Sequence, residues 1–205
     1  MARKALLVCG ILSSLVYVGT DVLGALRWEG FSYTAQTVSE LFAIGAPTRP
    51  FVVTLFSIHS VLQIAFGLGV WMSASSKRGL RITAGLLVGM GLVDLVAAPF
   101  FPMHLRGAER TPTDTMHIIG AMVDVLFVLL IIGFGANASG KRFRVYSIGT
   151  ILVLVVFGTL AGLDGPRLAA NLPTPWMGVY ERINIYGYML WMAVLALALL
   201  RVRDT

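Results

Sequence analysis

The chain has 205 residues, 57% of them hydrophobic and only 13% charged, with a mean hydropathy of +0.83. That excludes a soluble domain, whose solvated surface needs far more polar residues, and a single cysteine excludes an intrachain disulfide. A net charge of +6 and a pI near 9.9 would suit nucleic acid, but the basic residues fall in short clusters between apolar runs, which excludes that reading.

Six apolar stretches can cross a hydrocarbon core of about 30 Å at a helical rise of about 1.5 Å per residue. They lie near 5–26, 51–72, 82–102, 115–137, 145–163 and 180–200. The expected fold is all-α: a polytopic membrane protein, a bundle of six transmembrane helices with a short interfacial helix in the first outer loop. Residues 1–205 read as a single transmembrane domain, with no internal repeat or low-complexity segment.

The first stretch follows Arg3 and Lys4, runs on longer than a signal-peptide core and lacks a small-residue cleavage site, so it is expected to stay as helix one. Cys9 within it reads as packing. Asp21 shares a face with Tyr17 and Ser14. In the following "TVSELFAIGAP", Thr37 and Glu40 have capping-box spacing, Val38, Leu41 and Phe42 form an apolar stripe, and Gly45 with Pro47 ends the turn. Residues 38–44 therefore read as a short helix at the interface, either a lid or a headgroup helix.

Helix two carries His59 and, one turn deeper, Gln63; helix three carries Asp94 and ends at "FFP". The loop from Met103 to Thr115 brings His104, Arg106, Glu109, Arg110 and Asp114, with Thr111-Pro112 or Asp114 suited to open helix four. On helix four, His117 and Asp124 share a face at i, i+7. Before helix six, "LDGPRLAANLPTPWMGVYERIN" offers a turn at Asp164-Gly165-Pro166, then Arg167, and a Trp176/Tyr180 belt beside Glu181 and Arg182. Gly85/Gly89 and Gly158/Gly162 have the spacing of helix-packing pairs.

Charge sets the expected orientation. Arg3/Lys4, "KRGLR" at 77–81, "KRFR" at 141–144 and Arg201/Arg203 place ten of the 16 basic residues at one side, against six at the other. Both termini and those two loops are then expected to be cytoplasmic. All the acids except Asp204, and all three histidines, fall in the outer half.

Tolerance of acids outside does not explain ionisable groups inside the spans, where an isolated charge costs several kcal/mol. His59, Asp94 and Asp124 are expected roughly 12–13 Å below the outer boundary, facing one another or a cavity. An outward-opening polar pocket for a lipid or other small amphiphile follows, with His59, Asp94, His117 and Asp124 as candidate acid–base residues and Asp21, Glu40, Gln63, Arg106 and Arg167 as candidate binding residues. The competing reading of the same groups is a hydrogen-bond network that fixes the bundle.

No cofactor is expected. Zinc held by His59, His104 and His117 is the variant considered, without a HExxH or similar spacing to support it. Proton-coupled transport and a structural or accessory role are the alternative functions. The expected partners are membrane lipid and a small amphiphilic ligand.

The order of "TVSELFAIGAPTRP", an acid in helix three, "FFP" at its end and a histidine opening helix four resembles an uncharacterised family of prokaryotic membrane proteins, Domain of Unknown Function 998. Ser39, Glu40, Asp94, Pro102 and His117 fit its pattern. His104 departs from it, because the family often has an acid shortly after the Phe-Pro. The resemblance implies six helices and a membrane location and implies no reaction.

Overall fold

Six long helices make up most of the chain: α1 (Ala2–Arg27), α2 (Arg49–Ser73), α3 (Arg78–Phe100), α4 (Pro112–Gly135), α5 (Gly140–Leu163) and, after the short α6 (Gly165–Ala169), α7 (Met177–Leu200). The computed structural model describes residues 1–201, so Arg203 and Asp204 of the charge count lie outside the described residues. The long helices have 23 to 26 residues, about 35–39 Å of helix, enough to cross a bilayer core with some tilt. Their outward faces carry Leu15, Leu26, Val61, Leu68, Met122, Leu126, Leu152, Val156 and Leu190, all exposed. An apolar exterior of that extent is stable only against lipid, so this is a multi-pass integral membrane protein.

Helix boundaries follow local chemistry. At the start of α4 the Thr111 hydroxyl and the Asp114 carboxylate form a reciprocal cap around Pro112, whose missing N–H leaves nothing unsatisfied there. Gly45 sits at φ +92°, a conformation that favours glycine, and turns the chain back toward α2. The expected short helix is a single 3₁₀ turn, Ser39–Phe42. Val38, Leu41 and Phe42 pack inward with Val52 and Phe56 of α2, so this turn belongs to the bundle's own core.

Around the bundle, α1 packs between α2 and α7, α3 packs on α2, α4 on α3, and α5 on α7. The ring closes loosely, because α4 and α5 touch at few positions. One end carries the short connections 74–77 and 136–139; the other carries the long loops 28–48, 101–111 and 164–176. The short-loop half is solid. Leu7, Phe66, Leu87, Ile131, Trp191 and Leu195 are fully buried in its core, and Trp191 Nε1–H donates to Ser147 Oγ at 2.9 Å.

Two of the four glycines expected at helix contacts face open space, Gly85 and Gly162. Gly89 approaches Phe127, and Gly158 approaches Asn184. A close helix–helix backbone approach lies elsewhere: a Cβ on Gly69 would stand 2.9 Å from the backbone of Leu6 and Leu7 in α1. Spacing alone does not say which face of a helix meets a neighbour.

Candidate functional site

The long-loop half contains a cavity of about 960 Å³. Its walls come from α2, α3, α4, α5 and α7, its roof from the loops around Ser39 and His104, and Gly120 and Ala121 of α4 face Gly158 and Gly162 of α5 along its side. With few contacts between α4 and α5, these small side chains leave the seam unfilled there. The volume suits a small organic ligand.

Four helices deliver the polar groups. His59 (α2), Asp94 (α3), and His117 and Asp124 (α4) all line the cavity, as do His104, Asp114, Glu181 and Asn184. Helical repeat explains α4, where positions 114, 117, 121, 124 and 128 form one stripe toward the space. Asp94 and Asp124 reach the same cavity from neighbouring helices, and Asp124 Oδ1 is buried with no partner.

The histidines share a geometry. His59 Nδ1 lies 3.0 Å from the Ser13 carbonyl, His117 Nδ1 3.2 Å from the Phe101 carbonyl, and His104 Nδ1 2.9 Å from Asp114 Oδ2. Carbonyls and carboxylates only accept, which favours the proton on Nδ1 and, in a neutral ring, Nε2 as an acceptor; at His59 the Ser13 hydroxyl, 2.8 Å from Nδ1, accepts the same proton when it donates to the His59 carbonyl at 3.1 Å. Asp114 also takes the backbone N–H of His104 at 2.7 Å, which fixes the ring's approach. Tyr17 stacks on Phe56 at 4.6 Å and meets His59 edge-on at 4.9 Å, while Phe42 meets Phe56 and His117 edge-on; these rings make one aromatic wall.

The remaining candidate residues are placed differently. Glu40 is fully buried and takes Arg106 Nε at 2.6 Å and Nη2 at 2.8 Å, while Arg106 also donates to Thr174 Oγ1 and the Ala35 carbonyl. Three loops are thereby tied together over the cavity. Asp21 is fully buried and receives Nε and Nη2 of Arg182, each at 2.9 Å, with Tyr33 and Tyr186 hydroxyls on the same carboxylate. Partial burial, with Asp21 alongside, holds the Tyr33 phenol above its usual range and keeps it a donor.

Gln63 is buried behind the cavity wall, reaching only the Leu87 carbonyl at 3.4 Å and leaving Oε1 unpaired. Arg167 is on the surface, with Nε on the Pro173 carbonyl and Asp164 nearby. Among the described residues, no three His, Cys, Asp or Glu side chains are gathered around a point that would hold a metal ion. The pairing of His104 with Asp114 is absent from the sequence reading, although both stand in the same short loop segment. So are the aromatic wall and the tyrosines on Asp21, which no short spacing links.

Fold and composition define the class: an all-helical, six-span integral membrane protein. A model of the family described as "Protein of unknown function (DUF998)" matches residues 11–198, almost the whole chain, and the chain belongs to that family. No curated protein and no solved structure matches the chain.

Proposed function

We propose that the protein binds a lipid or other small amphiphile in the long-loop cavity, which opens to the outer side of the plasma membrane with both termini cytoplasmic. The observation that carries this reading is the union, in one space of about 960 Å³, of an aromatic and aliphatic wall with His59, Asp94, His117 and Asp124. A ligand with an apolar body and a polar head matches both surfaces, and the loose α4/α5 seam gives a hydrocarbon tail a way in from the bilayer. Imidazoles oriented through Nδ1 also equip the site for acid–base work on a bound head group.

The solid half beneath weighs against transport. Leu7, Phe66, Leu87 and Trp191 continue the bundle below the acids with no exposed polar surface of their own, so the cavity is one-sided. Orientation follows from the basic clusters at the short-loop end.

Native mass spectrometry of gently solubilised protein tests the reading. Wild type is expected to retain an amphiphile mass that His59→Ala and Asp94→Ala lose while keeping a cooperative thermal transition. Equal retention in all three overturns it.

A further inference from the structure

The cavity's hydrogen-bonding groups are unbalanced in one direction. Its donors are mostly engaged: Ser60 Oγ–H with the Phe56 carbonyl at 3.0 Å, Asn184 Nδ2–H with the Leu154 carbonyl at 2.6 Å, and Tyr188 O–H with Met90 Sδ at 3.7 Å. Arg106 is held on three sides by Glu40, Thr174 and Ala35. Asp114 and Glu181 are engaged as acceptors near the roof, but deeper acceptors are not. Asp124 Oδ1 has no partner, and the Nδ1 bonds of His59 and His117 leave Nε2 of each neutral ring as an acceptor. The hydroxyls of Tyr17 and Ser39 play either role, and Arg110 is an exposed cation only at the rim.

Charge points the same way. Asp94 and Asp124 line the same cavity, and neither forms an ion pair with a described Lys or Arg. Two ionised carboxylates in one space repel, so the space favours a proton or a cation. His59 lines the same cavity with only 3% of its surface exposed and one unengaged nitrogen. Tyr17 and Phe56, stacked on each other, add aromatic surface to the same cavity wall, a surface compatible with a cation.

We propose that the deep half of the cavity recognises the protonated amine of a cationic amphiphile. The ammonium N–H groups bond to Asp124 and His59, the charge lies between the two carboxyls and the Tyr17/Phe56 wall, and the alkyl chain leaves between α4 and α5. This deepens the proposed function and rests on it. An anionic head group would meet the same acceptors with nothing to give them, and the arginines nearest the site are already neutralised by Glu40 and Asp21.

Three probes of equal chain length separate the two ideas: dodecylammonium, dodecanol and dodecyl phosphate, titrated onto the protein in a maltoside detergent and read by native mass spectrometry and thermal midpoint. Dodecylammonium is expected to be retained at about tenfold lower concentration than dodecanol, and dodecyl phosphate least. Asp124→Asn, or Asp94→Asn if that variant does not fold, brings amine and alcohol to within about threefold, while a retained cooperative thermal transition shows that the bundle is intact. Equal retention of amine and alcohol by wild type, or tighter retention of the phosphate, overturns the amine assignment and leaves the amphiphile reading standing. Retention of none of the three overturns both.

Discussion

Arg182 and Asp21 illustrate how single residues become tolerable inside a membrane: each would be excluded alone, and each is neutralised by the other with two bonds. The remaining guanidinium nitrogen reaches the carbonyls of Tyr33, Gln36 and Gly178, so almost no polar atom is left over. Removing one partner strands the other. Arg182→Met is therefore expected to destabilise the protein by about 3–5 kcal/mol, seen as a lower thermal midpoint in detergent, and adding Asp21→Leu should recover most of that loss. A double variant no better than the single would show that the pair acts through something other than mutual neutralisation. The sequence makes both residues conspicuous as charges near helix ends, but they are separated by 161 positions, and no periodicity links them. Burial of an ion is legible from sequence; the identity of its partner is a property of helix packing.

At the scale of elements, the six helices are legible because each is a long apolar run, and the structure mainly adds a turn or so at their ends, as in Ala2–Arg27 for 5–26. What the runs do not encode is which face touches which neighbour, and the glycines show it. Gly69→Ala would push a methyl against the backbone of Leu6 and Leu7, atoms that move only if α1 and α2 separate, so about 1–3 kcal/mol of destabilisation is expected. Gly162→Ala meets nothing within 4 Å and should leave stability unchanged or raise it by up to about 1 kcal/mol through helix propensity. Thermal midpoints of the two variants side by side decide this; equal losses would refute the assigned contact. The loops obey the same logic. Glu40 caps the Thr37 N–H at 2.7 Å and binds Arg106, coupling two loops 66 positions apart. Arg106→Met is expected to speed proteolytic cleavage within residues 28–48, a loop it never enters in sequence, whereas cleavage rates equal to wild type would mean that the turn Ser39–Phe42 holds its place by apolar packing alone.

The whole molecule is polar in two senses, filled with side chains at the short-loop end and hollow at the other, and the charges divide along the same axis. Basic clusters at 77–81 and 141–144 flank the filled half, while His104, Asp114 and Glu181 border the hollow one. This coincidence carries the orientation, because lysine and arginine resist translocation whereas acids and histidines do not, so the hollow half should be the one passed across the membrane. A cysteine placed on either side tests it directly. In a Cys9→Ser background, Ala108→Cys sits in an exposed position of the long-loop end and Ser76→Cys in an exposed position of the short-loop end, and neither change removes a charge. A membrane-impermeant maleimide added to intact cells is expected to label Ala108→Cys and to label Ser76→Cys only after the membrane is opened. The reverse pattern would turn the cavity toward the cytoplasm, and its ligand would then have to be sought among amphiphiles of the inner leaflet.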